Sequence, residues 1–181
     1  MSDISIISID LAKSVFHLHM SDSEGRFIER KALRRRQLEP FIASQPRCLI
    51  AMEACSSSHH WARVFTGLGF DVRLLAPIDV KPFVKRQKND WNDAAAIAVA
   101  VRQPGMNFVA VKSEASQGIL SLHKVRELLV RQRTATINAL RSHLSEFGDS
   151  FAKGRSKAVE QAQTILDGAL EVDWPEAFLF S

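Results

Sequence analysis

Two aspartates, Asp90 and Asp93, stand three residues apart in "KRQKNDWNDAAAIAVAV", where a basic run gives way to an alanine-rich apolar pattern. Positions three apart are neighbours on one helix face, so both carboxylates would leave the first turn of a helix together. Two more acids close strand-like runs: Asp10 ends "ISIISID" and Glu53 ends "RCLIAME". If the strands they end lie side by side in a mixed sheet, Asp10 and Glu53 approach each other. A helix packed on that sheet then adds Asp90 and Asp93. Four carboxylates in one pocket repel and resist ionising together. A divalent cation removes that penalty: Mg²⁺, with Mn²⁺ as a substitute, takes hard oxygen ligands and keeps positions for water and phosphate oxygens. Two such ions about 4 Å apart serve phosphodiester chemistry by activating one oxygen and stabilising another as it leaves. Each acid also has a plainer reading. Asp10 suits a turn, Glu53 a helix start, Asp90 an N-cap, and Asp93 the positive end of a helix dipole. The four together, with basic flanks, favour the metal reading.

The basic residues fall into three clusters: Arg30, Lys31, Arg34, Arg35 and Arg36; Lys81, Lys85, Arg86 and Lys88; and Lys124, Arg126, Arg131, Arg133 and Arg141. With a net charge of +4 and a sequence pI of about 9.3, they point to a polyanionic partner. Lys81, Lys85, Arg86, Lys88, Arg126, Arg131 and Arg133 are the expected nucleic-acid contacts. Other candidates are weaker. His59 and His60 read as a surface pair beside Trp61, and His17 and His19 share one strand face. Ser56, Ser57 and Ser58 read as helix caps with no base placed to activate them. No glycine-rich phosphate loop is present.

The elements that must position these residues follow from periodicity. Residues 4 to 10 read as a buried strand. "KSVFHLHMSD" alternates, with Phe16, Leu18 and Met20 on one face and Val15, His17 and His19 on the other. "RFIERKAL" completes an antiparallel meander. "RRRQLEPFIAS" predicts a short helix, and "RCLIAME" a strand. "SSSHHWARVFTGLG" predicts a capped helix with Trp61, Phe65 and Leu68 on one side. "FDVRLLA" closes a strand–helix–strand unit. Asp90 to Arg102 predicts a helix with Ala94, Ile97, Ala98 and Val101 inward. "NFVAV" reads as a last short strand or an extended connection. From Ser113, the residues Leu122, Val125, Leu129, Thr136, Leu140, Leu144 and Phe147 step by three and four. A helix of about 35 residues would run about 50 Å, too long for one small domain to cover, so it reads as a coiled-coil-like arm. "SKAVEQAQTILDGAL" suggests one more helix. The expected division is a catalytic domain over 1–112, a helical arm over 113–150 and a partial helical segment over 151–181.

Apolar residues make up 46 % of the 181 residues and charged residues 24 %, a globular composition that buries a core without disulfides. Cys48 reads as a small buried hydrophobe, and neither it nor Cys55 has zinc-site spacing. No run approaches the roughly 20 apolar residues of a membrane span, and "MSDISIISID" lacks the features of a signal peptide. The expected setting is the bacterial cytoplasm, associated with the nucleoid.

The stretches "SIDLAKSVFHLHM", "AMEACSSSHHWAR", "VKPFVKRQKNDWNDAAAIAVAVRQPGMNFVAVKSE" and "LHKVRELLVRQRTATINALRSHLSEFG" resemble the insertion-sequence transposases of the DEDD type, the IS110 family. The resemblance spans residues 4 to about 150. It implies an α/β fold: an RNase-H-like, RuvC-like mixed sheet flanked by helices and followed by a long helical arm. It implies that Asp10, Glu53, Asp90 and Asp93 are the acidic tetrad that binds Mg²⁺. It also implies recombination of DNA directed by a structured bridge RNA, and a homo-oligomer, dimer or tetramer, built through the long helix. The family's second domain carries a nucleophilic serine. That domain has no counterpart in these residues, so the chain is expected to be a truncated form. Trp91 departs from the smaller or polar residue usual between the two aspartates, and Ser56 from a common glycine.

Three other functions fit parts of the pattern. A metal-dependent nuclease or resolvase with the same core needs no serine. A non-catalytic fragment would bind nucleic acid or oligomerise with full-length transposase. A sugar-kinase-like fold also opens with a strand ending in Asp, but it needs a phosphate-binding glycine turn.

Overall fold

The computed structural model describes residues 3–84, 90–146, 148 and 154–168. The opening meander forms β1 (Ile6–Asp10), β2 (Val15–Ser21) and β3 (Phe27–Arg34). Its second turn is set by Asp22, whose Oδ1 accepts the backbone N–H groups of Glu24 at 2.9 Å and Arg26 at 2.8 Å. Gly25 completes that turn at φ +85°, and a Cβ there would collide with the guanidinium of Arg102. Helix α1 (Arg35–Ala43) begins where the Gln37 side chain accepts the Arg34 N–H at 2.9 Å.

The strand–helix–strand unit is β4 (Leu49–Glu53), α2 (Ser58–Gly67) and β5 (Asp71–Leu75). Helix α2 ends as its sequence predicts. Gly69 takes φ +87°, and the N–H of Phe70 reaches back to the Phe65 carbonyl at 3.1 Å. A short α3 (Pro77–Val80), a 3-10 turn (Lys81–Phe83) and α4 (Asp90–Ala100) follow. "NFVAV" resolves as the two-residue strand β6 (Phe108–Val109), antiparallel to β5.

The sheet order is β3-β2-β1-β4-β5-β6. The meander is antiparallel, whereas β1, β4 and β5 run parallel. This mixed sheet with helices on both faces is the expected RNase-H-like arrangement. Alternation along each strand separates two cores. Ile7, Ile9, Phe16, Leu18, Met20, Ile50 and Met52 pack with Leu38, Trp61 and Phe65 on one face. Ile6, Ala51 and Leu75 pack with Ala96, Ile97, Ala100 and Val101 on the other. Phe65 is fully buried, its ring stacked 5.6 Å from that of Trp61. Truncating such a residue to Ala costs about 3–5 kcal/mol. Burial pushes the Cys48 thiol up to about 11, so it packs as a protonated hydrophobe.

The chain divides into two compact units, Met1–Glu114 and Ala115–Ser181. The second holds most of α5 (Glu114–Glu146), 33 residues long, and α6 (Arg155–Leu166). The apolar stripe expected along α5 is split. Leu122, Val125 and Leu129 are exposed, while Leu144 is buried. Arg141 donates to the Gly154 carbonyl at 2.8 Å, joining the end of α5 to the approach of α6. Phe147 and residues 169–181, including Trp174, Phe178, Leu179 and Phe180, lie outside the described residues. Among the described residues no helix is long and apolar enough to cross a membrane.

Candidate metal centre

Strands β1 and β4 pair in parallel from Ile6–Leu49 to Ile9–Met52. Asp10 and Glu53 are therefore the next residues on two strands about 4.8 Å apart. By the two-residue period both lie on the sheet face that carries Ile6, Ser8 and Ala51, the face covered by α4. The adjacency expected of the first and fourth strands is the adjacency found.

Helix α4 reaches this face because its inward side is small. Ala94, Ile97, Ala98 and Val101 are buried as the pattern predicts, and Ala96 and Ala100 are buried as well. Alanines let the helix lie close enough for the Ser8 Oγ to donate to the Ala94 carbonyl at 2.8 Å. Ser8 is wholly buried. Its position is two residues before Asp10 on β1, and Ala94 directly follows Asp93. The bond therefore fixes the first turn of α4 over the end of β1.

The electrostatic consequence appears at Glu53. Burial raises its carboxyl above the ordinary value, and the negative charge of Asp93 raises it further. Glu53 from β4 and Asp93 from α4 thus share one electrostatic environment. Helix α4 is described over Asp90–Ala100, so Asp93 falls within its first described turn. The Asp90 side chain lies outside the described residues. Among the described residues no three His, Cys, Asp or Glu side chains already converge as ligands. What the fold brings together is the Glu53–Asp93 pair, with Asp10 on the adjacent strand end.

Around the carboxylates, His17 pairs with Asp10 across β1 and β2, and its ring meets Trp91 edge-on at 4.6 Å. The Arg30 guanidinium lies over the Trp91 ring at 5.1 Å. Burial lowers the His19 imidazole below its ordinary value. Sequence reasoning missed Ser8 and the Arg30–Trp91 pair. A serine at an inward position of a buried strand was the one available signal for Ser8. It also misplaced His59, expected at the surface. His59 is 7 % exposed, and its Nδ1 accepts the Lys112 N–H at 3.2 Å. The returning segment ahead of α5 covers it, a contact across 53 residues that helix periodicity does not report. Of the serines, Ser58 accepts the Cys55 N–H at 3.0 Å, whereas Ser57 makes no cap bond.

The expected nucleic-acid residues are spread over both units. Lys81 is exposed in the 3-10 turn. Lys85, Arg86 and Lys88 lie outside the described residues. Arg126, Arg131 and Arg133 are exposed on α5, where Arg126 and Arg133 line a groove with Leu122, Val125, Leu129 and Val130.

A family model described as a transposase, of the DEDD IS110 type, matches residues 7–148. A probable family 20 transposase of Pseudomonas aeruginosa is 44 % identical over 165 residues, covering 91 % of this chain and 49 % of the relative. The transposase for insertion sequence element IS1111A of Coxiella burnetii is 41 % identical over 166 residues, covering 92 % and 46 %. The chain spans about half the length of the curated relatives it matches. Among solved structures, Thermus thermophilus RuvC in complex with a Holliday junction substrate aligns with a TM-score of 0.45 and 12 % identity. That alignment covers 57 % of this chain and 98 % of RuvC.

Proposed function

The chain belongs to the DEDD transposase family of the IS110 type, and from that premise we propose that Asp10, Glu53, Asp90 and Asp93 form a divalent-cation site for DNA cleavage and strand transfer. The observation that carries this reading is geometric: β1 and β4 pair in parallel up to the residues before Asp10 and Glu53, and the Ser8–Ala94 hydrogen bond holds the first turn of α4, with Asp93, on the same sheet face. Burial and the charge of Asp93 both raise the Glu53 carboxyl, and an added positive charge relieves both penalties. The carboxylate oxygens are the hard donors that Mg²⁺ and Mn²⁺ prefer, so the residues present fit the ion. Bound there, a divalent ion would supply Lewis-acid stabilisation of charge at a phosphodiester.

The chain's own residues account for the rest. The β1 and β4 ends hold Asp10 and Glu53 on a rigid sheet. The Ser8–Ala94 bond sets the depth of α4 and with it the position of Asp93. Lys81, Lys85, Arg86 and Lys88, close in sequence to Asp90, neutralise the DNA backbone as it approaches. Arg126, Arg131 and Arg133 extend the contact to DNA or to a structured guide RNA. The exposed apolar residues Leu122, Val125 and Leu129 of α5 serve self-association in a homo-oligomer.

The test is nicking of DNA in Mg²⁺ by the wild-type chain, Glu53→Gln and Asp93→Asn. The expected result is metal-dependent nicking by the wild type alone. Nicking that survives both substitutions would place the chemistry elsewhere.

A further inference from the structure

Beside the carboxylates lies a cleft of about 370 Å³ lined by His19, Phe27, Arg30, Trp91, Asn92 and Ala95. Its walls are unusually rich in planar groups. The Arg30 guanidinium lies over the Trp91 ring at 5.1 Å. The His19 and Phe27 rings are 5.2 Å apart and tilted by 50°. Phe27 is 57 % exposed, a large apolar ring left at the surface of an edge strand. An adjoining cleft shares His19, Phe27, Asn92 and Ala95 and adds Ser21 and Arg102. The buried Ser21 hydroxyl has no hydrogen-bond partner among the described residues. Glu24, the acid lining this second cleft, is paired with Arg26.

We propose that this cleft receives an unpaired nucleobase of the DNA strand presented to the carboxylates, the base stacking against the Arg30–Trp91 pair. The inference rests on the reading of Asp10, Glu53, Asp90 and Asp93 as the cleavage site, because Trp91 stands between Asp90 and Asp93. Aromatic rings and guanidinium planes bind bases of any sequence through their π-faces. A cation on the same surface attracts the backbone phosphate, so one small site meets both parts of a nucleotide. The cleft volume is that of a small-ligand pocket. It accepts one splayed base and excludes the stacked pairs of a duplex.

The test is fluorescence anisotropy of the full 181-residue chain with labelled oligonucleotides of about twelve nucleotides, within the usual single-strand site size. Single-stranded DNA, RNA of the same sequence and blunt duplex DNA are compared in EDTA. Trp91→Ala and Arg30→Gln are expected to weaken single-stranded DNA binding about ten-fold, in line with the loss of one stacked base. Trp91→Phe should keep most of the affinity, and duplex binding should not change. Undiminished single-strand binding by Trp91→Ala would overturn the proposal. So would an equal loss for duplex, a loss in Trp91→Phe as large as in Trp91→Ala, or tighter binding of RNA than of DNA. Asp93→Asn is included to keep the two readings apart. The binding needs no divalent ion, so its failure leaves the metal reading standing. A failed metal reading would likewise leave single-strand binding by Asp93→Asn intact.

Discussion

The hydroxyl of Ser8 and the carbonyl of Ala94 lie 2.8 Å apart across 86 residues of chain. This hydrogen bond sets the register between the strand that ends in Asp10 and the helix that carries Asp93. The Ser8 Oγ also lies 3.1 Å from the His19 carbonyl, so one hydroxyl sits at the meeting of β1, β2 and α4. Ser8→Ala removes one buried hydrogen bond, which costs about 1 kcal/mol. The expected drop in melting temperature is about 2–4 °C for a chain of this size. A calorimetric scan checks it. The same variant should also respond less to Mg²⁺, because α4 is no longer held at one depth. An unchanged response would show that the bond serves stability alone.

The raised carboxyl of Glu53 gives a pH prediction with a definite sign. A folded-state value above the ordinary 4.5 means that the native protein holds its proton more tightly than the unfolded chain. The associated stability is fully present below 4.5 and is lost as pH rises through the raised value. Wild type minus Glu53→Gln should therefore decline in melting temperature from pH 4 to pH 7. Asp93→Asn should shrink that decline, since Asp93 is one of its two causes. A pH-independent difference would break the link between Glu53 and Asp93.

His59 behaves in the opposite sense. Burial, Lys112 and Arg63 lower its imidazole below 6.5, and the neutral ring accepts the Lys112 N–H. The stability it brings is present above 6.5 and is lost as pH falls through the lowered value. His59→Gln can still accept a hydrogen bond but does not titrate. Chemical denaturation at pH 7 and pH 5 should show a smaller loss in this variant than in the wild type. Equal losses would assign the acid sensitivity to other groups.

The exposed arginines of α5 are tested by salt. Replacing Arg126, Arg131 and Arg133 with Gln should make the fall of log affinity for duplex DNA with log salt less steep. The expected reduction in slope is about 0.9 for each phosphate that the arginines neutralise. A slope unchanged in the triple variant would remove these residues from the interface.

Much of this fold was legible because the informative signals are local. Phe16, Leu18 and Met20 alternate with polar neighbours, so the buried face of β2 could be read directly. The inward positions of α4 followed from helical spacing, and Gly69 marked the end of α2. Asp10 and Glu53 were identifiable as strand ends, which sufficed to place them together once β1 and β4 were paired. Other features depend on residues far apart in sequence. His59 is buried by a segment 53 residues later, so a histidine pair at a helix start looked like surface. The Arg30–Trp91 pair joins β3 to α4, and neither residue's neighbours announce it. The short β6 was ambiguous because a two-residue strand carries no periodicity.

The proposed divalent-cation site joins Glu53 and Asp93 with Asp10 and Asp90. The most direct measurement is melting temperature against Mg²⁺ and Mn²⁺ for the wild type and Asp93→Asn. An ion at about 100 times its dissociation constant adds about 2.7 kcal/mol to stability. A metal-dependent rise in the wild type that Asp93→Asn abolishes is the predicted result. No rise in the wild type, with DNA present as well as absent, would rule out a divalent-cation site at these carboxylates.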